Sequence, residues 1–358
     1  MKLKNFLHWT VLVPVISGLF YLGGFLVDSV ISNILGGLLL FGSVLAAVHH
    51  AEVIAHKVGE PYGTIILAIC ITILEVGLII SFMLSGGEGA ITYARDTVFA
   101  AVMLILNGIL GACIWIGAAK YKEQFFMRSS STTYLVSLVA ILVLTLILPN
   151  YTSSVRGPFY TNAQLIFVSL ACLIIYGTFL RVQTVRHRNF FVIEEEDHTT
   201  HEADPPSLPR TFLSLGLLIV SLAVVIFMAK GLSPVIEDFV ESIGSPRALV
   251  GVIIATVVLL PEGFAAIRAA QNNQIQTSIN LGLGSALASV GLTIPAVSMV
   301  CIWFDIPFVL GLDMKSIILL ALSVFIVMLS LSRGKTNIMY GAVLIVNLAA
   351  YIFTVIVP

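Results

Sequence analysis

The stretch YGTIILAICITILEVGLIISFML, residues 62–84, contains one charged residue, Glu75, near its middle. A second stretch, RALVGVIIATVVLLPEGFAAIRAA at residues 247–270, places Glu262 deep inside another apolar run. A membrane-spanning helix needs about 20 mostly apolar residues, so both stretches are predicted to cross a bilayer. A charged side chain near the bilayer centre costs about 2.5–3.5 kcal/mol on insertion scales. A helix tolerates such a carboxylate where it faces a protein-lined cavity, carries a proton or meets a cation.

The composition of the whole chain is that of a membrane protein. Of its 358 residues, 58% are hydrophobic and 10% are charged, the net charge is -1 and the mean hydropathy is +1.05. Soluble domains contain about 25% charged residues, so this chain has too few to cover a water-facing surface. It also lacks the basic excess that nucleic-acid binding requires. An ordinary soluble enzyme, a disordered chain and a nucleic-acid-binding protein are therefore excluded.

Eleven apolar runs are long enough to cross a bilayer. They are residues 9–27, 30–49, 62–84, 96–119, 132–149, 162–181, 211–229, 247–270, 276–303, 314–332 and 336–357. The runs are apolar on nearly every side, whereas barrel strands alternate apolar and polar residues. We therefore predict an all-α polytopic membrane protein with eleven transmembrane helices, the first of them an uncleaved span. Four cysteines lie inside these runs without metal-ligand spacing and are expected to be small buried apolar side chains: Cys70, Cys113, Cys172 and Cys301.

The lysines and arginines are unevenly divided between the predicted loops. With the N-terminus inside, thirteen of the 18 fall on the cytoplasmic side and five on the other. Because cytoplasmic loops carry the excess of basic residues, the N-terminus is predicted in the cytoplasm and the C-terminus outside.

One hydrophilic segment separates the sixth and seventh runs. Its acidic residues and histidines lie between 194 and 204, and it ends at Pro205-Pro206. This composition is typical of a solvated hinge, and a cation-collecting or regulatory patch is the alternative. The segment leads us to divide the chain into an N-terminal helix (1–29), a first five-helix part (30–190), an acidic cytoplasmic linker (191–209) and a second five-helix part (210–358).

The two five-helix parts share a sequence motif. Gly59-Glu60-Pro61 precedes Ala68-x6-Glu75 in the first part, and Gly244-Ser245-Pro246 precedes Ala255-x6-Glu262 in the second. Proline suits the first turn of a helix, so each Gly-x-Pro predicts a helix start. The Glu75 span is predicted to run outward and the Glu262 span inward. The parts are therefore predicted to be inverted repeats, as in many secondary transporters.

Two carboxylates in matching positions of inverted repeats predict one hard-oxygen site that binds a divalent cation or takes up protons. Calcium accepts six to eight oxygen ligands, so neutral oxygens are needed as well. The candidate ligands or neighbours are Thr72, Asp96, Asn280 and Ser285, for which ordinary helix packing is the alternative. Protonation removes the charge that holds the metal, so cation and protons exclude each other. If the protein switches between its inward-open and outward-open forms only when the site holds a cation or protons, each cation that moves one way is exchanged for protons that move the other way.

Three histidines surround Glu52 at the inner end of the second run. A zinc protease needs H-E-x-x-H, with both histidines one turn apart and the glutamate between them. Here the order is His50-Ala51-Glu52 followed by His56, so the protease motif is absent. His50 and Glu52 are candidates for a cytoplasmic gate or proton relay, and an interfacial polar turn is the alternative.

These motifs resemble those of bacterial calcium/proton antiporters of the ChaA type, in the calcium/cation antiporter superfamily. The stretch from Gly59 to Thr64, continuing to Glu75-Val76, resembles the first repeat motif of that family. Leu260-Pro261-Glu262-Gly263, followed by Asn272-Asn273-Gln274, Asn280 and Gly284-Ser285, resembles the second. The resemblance implies export of Ca²⁺ in exchange for H⁺ across the inner (plasma) membrane. It also implies Glu75 and Glu262 as the residues that bind both, with no cofactor and with Na⁺ or K⁺ as alternative cargo.

Two other functional classes are less well supported. A passive cation channel would conduct without a proton gradient, whereas an inverted repeat can interchange inner and outer openings. An intramembrane enzyme is disfavoured because H-E-x-x-H, G-x-S-x-G and phosphate-binding loops are absent from the sequence.

Overall fold

The computed structural model describes residues 8–26, 29–59, 62–84, 90–191 and 206–357. Over these ranges the chain is almost entirely helical, and its β-structure is a single bridge between Phe125 and Lys335. Most of the predicted acidic linker, together with Glu60 and Pro61, lies outside the described residues.

The described residues form a helix at each of the eleven predicted positions. In chain order they are α1 Trp9–Leu22, α2 Val30–Val58, α3 Tyr62–Met83, α4 Ala90–Tyr121, α5 Arg128–Tyr151, α6 Asn162–Arg186, α7 Leu208–Ser242, α8 Ala248–Gln271, α9 Ile275–Phe304, α10 Met314–Leu331 and α11 Ile338–Ile356. By length and composition, α2 to α11 can each cross a membrane. The predicted all-α polytopic fold class is confirmed.

The first helix is shorter than the predicted span. α1 has 14 residues, about 21 Å at 1.5 Å per residue, against about 30 Å of bilayer hydrocarbon. The apolar run continues past Leu22, but Gly24 adopts a φ of 67° and the helix ends before it. Glycine reaches this left-handed conformation without steric cost, so backbone conformation and not hydropathy sets the end of α1.

The glycine of the repeated Gly-x-Pro motif has a positive φ in both parts. Gly59 ends α2 with a φ of 76°, and Gly244 follows α7 with a φ of 68°. The next helices begin at Tyr62 and Ala248, so the helix starts predicted from the motif are confirmed to within two residues.

The spans that follow the two glutamate helices share a second feature. A π-helical turn at Leu104–Ile109 interrupts α4, and another at Ser289–Thr293 interrupts α9. Each begins at the same distance from the start of its helix, from 90 to 104 in α4 and from 275 to 289 in α9. π-helical turns also occur near the ends of α5 (Val143–Ile147) and α6 (Val182–Arg186), so it is the equal position in α4 and α9 that supports a relation between the two parts.

The helices group into two compact units, each drawing on both halves of the sequence. Unit 1 comprises Met1–Ala90 and Glu202–Val250, and it contains α1, α2, α3 and α7. Unit 2 comprises Ile91–His201 and Gly251–Pro358, with α4, α5 and α6, most of α8, and α9 to α11. The division into repeats at residues 30–190 and 210–358 remains a prediction.

Small residues let the helices of each unit approach closely. In unit 1, a Cβ added to Gly77 of α3 would lie 2.8 Å from the Ile226 side chain of α7. In unit 2, a Cβ at Gly341 of α11 would lie 2.5 Å from the backbone nitrogen of Trp115 in α4. Side chains at these positions would separate the paired helices.

A buried amide and hydroxyl network joins three helices of unit 2. Asn107 Nδ2 of α4 donates to Ser323 Oγ of α10 at 2.9 Å. Asn347 Nδ2 of α11 donates to Asn107 Oδ1 at 2.9 Å and to Ser323 Oγ at 2.8 Å. All three side chains are buried, and Asn107 lies in the π-helical turn of α4. The network therefore holds that turn against α10 and α11.

Candidate cation and proton site

Glu75 is buried in unit 1, with 3% of its surface exposed. Its neighbours on α3 include Leu74, Leu78 and Ile79, which are also buried, so the carboxylate sits on the protein-facing side of the helix. A different side of α3 contacts α7, where Ser81 Oγ donates to the backbone oxygen of Ile226 at 3.3 Å. Burial of a carboxylate disfavours a bare charge, so this position favours a carboxylate that carries a proton or meets a cation or another partner.

Thr72 lies one turn before Glu75 and is also buried. Its Oγ1 donates to the backbone oxygen of Ala68 at 2.8 Å, as threonine commonly does within a helix. The hydroxyl proton is therefore engaged, while the oxygen lone pairs remain available to accept or to coordinate. The predicted role of Thr72 as a neutral ligand is compatible with this bond.

Glu262 lies on α8 in unit 2 and is partly buried. Its Oε2 accepts a hydrogen bond from Ser285 Oγ of α9. Pro261, inside the helix, has no N–H to donate to the carbonyl one turn earlier, so that carbonyl lacks its usual helical partner. The structure thus brings together two of the residues that the sequence singled out, Glu262 and Ser285, on neighbouring helices.

The surroundings of Glu262 include two features that the sequence did not reveal. A Cβ at Gly263 would lie 3.4 Å from Ile109, so α8 passes close to the π-helical turn of α4. A hollow of about 180 Å³ lies beside this contact, lined mainly by apolar side chains of α4 and α8.

The buried Tyr176 of α6 lies within electrostatic range of Glu262. Tyr176 sits in an apolar run, where an aromatic residue carries no signal of function.

Asn280 has other partners. Its Oδ1 accepts from Ser130 Oγ and from Gln276 Nε2, both at 2.9 Å, and its Nδ2 donates to the backbone oxygen of Phe191 at 2.6 Å. Asn280 and Ser285 are five residues apart, which turns their side chains about 140° from each other around the helix. This geometry explains why the two candidates on α9 make different contacts.

Asp96 lies in the first turn of the regular α-helical part of α4 and is 8% exposed. Its Oδ1 accepts from Arg95 Nε at 2.8 Å, and Arg95 Nη1 donates to the backbone oxygen of Gly311 at 3.2 Å. α8 approaches at this point, because a Cβ at Gly251 would lie 2.7 Å from the Asp96 carbonyl carbon. The Asp96 carboxylate is therefore already paired with a guanidinium.

His50 and Glu52 lie on different sides of α2 in unit 1. His50 is 4% exposed, and its Nε2 lies 3.1 Å from the backbone oxygen of Thr10 in α1, to which it donates. Glu52 is exposed. Residues two apart on a helix do not face each other, so the structure does not bring this predicted pair together.

Carboxylates and imidazoles do not cluster in threes in the part of the chain that the structure describes. No group of three or more His, Cys, Asp or Glu side chains there could hold a metal ion. A cation bound at either glutamate would need hydroxyl and backbone oxygens to complete its coordination, which suits a hard ion such as Ca²⁺.

Comparison with known proteins gives a consistent result. The profile of the family described as "Sodium/calcium exchanger protein" matches residues 29–185 and 213–357. The chain is 42% identical over 92% of its length to the putative ionic transporter y4hA of Sinorhizobium fredii, covering 90% of that protein. It is 32% identical over 90% of its length to the sodium-potassium/proton antiporter ChaA of Escherichia coli strain K12, covering 88% of that protein.

A solved structure shares the fold. The Ca²⁺/H⁺ antiporter protein YfkE has a TM-score of 0.72 to this chain, covering 98% of this chain and 99% of YfkE at 16% identity. At that identity the likeness is evidence for the fold.

Proposed function

Since the chain belongs to the sodium/calcium exchanger protein family, we propose that it is a cation/proton antiporter that exports Ca²⁺ from the cytoplasm in exchange for H⁺. The observation that carries the proposal is the pair of glutamates, Glu75 and Glu262, at matching positions in two parts of the chain that share a motif. Each lies well inside a helix long and apolar enough to cross the membrane.

The two carboxylates are the proposed groups that bind the cation and the proton. Glu75 is almost completely buried, where an ionised carboxylate is unfavourable unless a partner such as a cation meets it. Glu262 accepts from Ser285, and a hydrogen bond of this kind stabilises the ionised carboxylate that a cation requires. Thr72 is a proposed neutral ligand, and Asp96 and Asn280 are proposed neighbours of the transport path. Because the cation needs ionised carboxylates and the proton removes that charge, binding of one expels the other.

Alternating access is the proposed means of transport. The family profile matches one stretch in each half of the chain, and the π-helical turns of α4 and α9 occupy equal positions in their helices. Both observations support two related parts, and their opposite orientation is part of the proposal, based on the predicted directions of the Glu75 and Glu262 spans. We place the protein in the inner (plasma) membrane with the N-terminus in the cytoplasm and the C-terminus outside, in accord with the excess of lysine and arginine in the predicted cytoplasmic loops.

A second candidate is exchange of Na⁺ or K⁺ for H⁺ with little transport of Ca²⁺. It is favoured by the 32% identity to a protein named as a sodium-potassium/proton antiporter. The same two glutamates would serve, because a monovalent cation also binds carboxylate and hydroxyl oxygens.

The decisive experiment uses inside-out membrane vesicles acidified inside, with Ca²⁺, Na⁺ and K⁺ added separately while the internal pH is followed. Ca²⁺ is expected to collapse the pH gradient most effectively. A response to Na⁺ or K⁺ alone would establish the second candidate, and a response to none of the three would contradict both. Cation flux that persists in vesicles without a proton gradient and is not accompanied by proton movement would indicate a channel.

The glutamate variants test the site within the same assay. Glu75→Gln and Glu262→Gln are each expected to abolish exchange while the protein remains in the membrane. Glu123→Gln is the matched control, because Glu123 is an exposed residue paired with Lys335 at 2.8 Å and lies between α4 and α5. Full activity in either of the first two variants would remove that glutamate from the mechanism.

A further inference from the structure

A groove of about 520 Å³ runs along unit 2 between α5 and α10. Most of its wall is apolar and includes Leu135, Val136, Val139 and Met328. Val136 is 66% exposed, so the groove is open to the surroundings of the helices and is not an enclosed cavity. In a membrane protein such a slot faces the acyl chains of the bilayer.

One end of the groove is polar. Arg128, at the first residue of α5, and Ser332, just after the last residue of α10, form part of its wall there. Phe126 N donates to the backbone oxygen of Gly334 at 3.0 Å, which ties the chain before α5 to the chain after α10. The polar end therefore lies where both helices reach the same membrane surface.

Two side chains at this end have polar groups that could bind a ligand. Arg128 is exposed and forms no ion pair with any of the described residues. Its aliphatic stem lies over Gly334, where an added Cβ would be 2.9 Å from Arg128 Cγ, so the guanidinium is held near the mouth of the groove. Ser131, in the groove wall one turn further along α5, is 1% exposed, and its Oγ has no hydrogen-bond partner in the described structure.

The charge around the polar end selects the kind of ligand. Four basic residues, Lys122, Arg128, Arg333 and Lys335, lie in the adjoining segments, against one acidic residue, Glu123. Met127 at the start of α5 provides no side-chain cap, so the free N–H groups of the first turn add partial positive charge. A phosphodiester is attracted here, whereas the ammonium of a zwitterionic headgroup would meet like charge.

We propose that this groove binds an anionic glycerophospholipid, with one acyl chain along the apolar wall and the phosphate at Arg128 and Ser131. Basic pockets between transmembrane helices are known sites for anionic lipid headgroups, and each basic residue near the surface contributes about 1 kcal/mol. The proposal rests on unit 2 alone and does not depend on the assignment of Glu75 and Glu262.

The test is native mass spectrometry of the purified full-length protein, titrated with phosphatidylglycerol or with phosphatidylcholine of the same chains. We expect one equivalent of phosphatidylglycerol to be retained in preference to phosphatidylcholine. Arg128→Gln should weaken phosphatidylglycerol binding about fivefold, the factor that corresponds to ~1 kcal/mol, and Arg128→Lys should restore part of it. Val136→Trp should block the apolar slot and reduce binding of both lipids, and because Val136 is mostly exposed this variant should fold normally.

Arg156→Gln is the matched control, because it removes the same charge beyond the other end of α5 and should leave lipid binding unchanged. Equal retention of the two lipids by the unmodified protein would overturn the proposal, as would an equal loss in Arg128→Gln and Arg156→Gln. Complete displacement of the lipid by inorganic phosphate, with no effect of Val136→Trp, would show a phosphate site and not a lipid site. Circular dichroism of each variant checks that the helices are intact.

Discussion

Ser285 Oγ donates a hydrogen bond to Glu262 Oε2, joining α9 to α8. Glu262 is one of the two acidic residues that the sequence places deep inside a span, and Ser285 lies 23 residues further along the chain. A hydroxyl that donates to a carboxylate favours its ionised form. The contact therefore links the packing of two helices to the proposed competition between cation and proton.

Replacing Ser285 with alanine should remove the hydrogen bond that stabilises the ionised form of the Glu262 carboxylate. Hydrogen bonds to charged groups contribute about 1.5–3 kcal/mol, so at fixed pH we expect the KM for Ca²⁺ to rise at least about tenfold. Initial rates of Ca²⁺-driven pH change in inside-out vesicles measure this. Ser298→Ala on the same helix is the control, because Ser298 Oγ is buried without a partner in the described structure and should not alter the KM. Equal KM values for Ser285→Ala and the unmodified protein would contradict the role of Ser285.

Replacing Gly251 with alanine should destabilise unit 2. Its Cβ would lie 2.7 Å from the Asp96 carbonyl carbon and 2.8 Å from the Thr97 nitrogen, which are backbone atoms that cannot rotate away. Overpacking of this kind costs about 1–3 kcal/mol, so the midpoint of thermal unfolding in detergent should fall. In the control Gly216→Ala, nothing lies within 4 Å of the new methyl group, and the midpoint should be unchanged or higher. Equal midpoints for the two variants would refute the close approach of α8 to α4.

Replacing Asn347 with alanine should weaken the three-helix network. Asn107 Oδ1 and Ser323 Oγ would each lose the hydrogen bond that Asn347 donates. Interhelical hydrogen bonds within membranes average about 0.6 kcal/mol and reach about 1.7, so we expect a loss in that range. Equilibrium unfolding in mixed micelles measures it, with Asn162→Ala, an exposed residue at the start of α6, as the control. A loss no greater than that of the control would mean that the network does not contribute to stability.

Variants of His50 and Glu52 distinguish the two roles that the sequence left open, a cytoplasmic gate or proton relay and an interfacial polar turn. His50→Ala should lower the stability of unit 1, because the Thr10 backbone oxygen would lose its donor, at a cost of about 1–3 kcal/mol. Glu52→Gln should change neither stability nor exchange, because Glu52 is exposed and faces away from His50. Thermal unfolding and vesicle exchange assays measure the two effects. A large loss of exchange in Glu52→Gln, with unchanged stability, would instead support the gate or relay.

Other polar residues within the spans escaped notice in the sequence for a physical reason. Asn107, Ser323 and Asn347 lie in apolar runs and are uncharged, so none imposes the energetic cost that distinguishes Glu75 and Glu262. Their importance arises only when three helices bring them within hydrogen-bond distance. A survey of uncharged polar residues within predicted spans would have found them, together with many that only bond to their own backbone, as Thr145 does.

The amino-acid sequence alone determined the fold class and the positions of the eleven helices, because burial in hydrocarbon requires long apolar runs. It also identified Glu75 and Glu262 as candidate site residues, because each charge within such a run is energetically costly. Left-handed glycines such as Gly24 set helix ends that hydropathy does not reveal. Only the tertiary structure decided which polar residues become partners: Ser285 reaches Glu262, whereas Asn280, five residues earlier, bonds to Ser130 and Gln276. The turn of a helix and the neighbour it packs against decide such partnerships, and neither can be read from residues along a single chain.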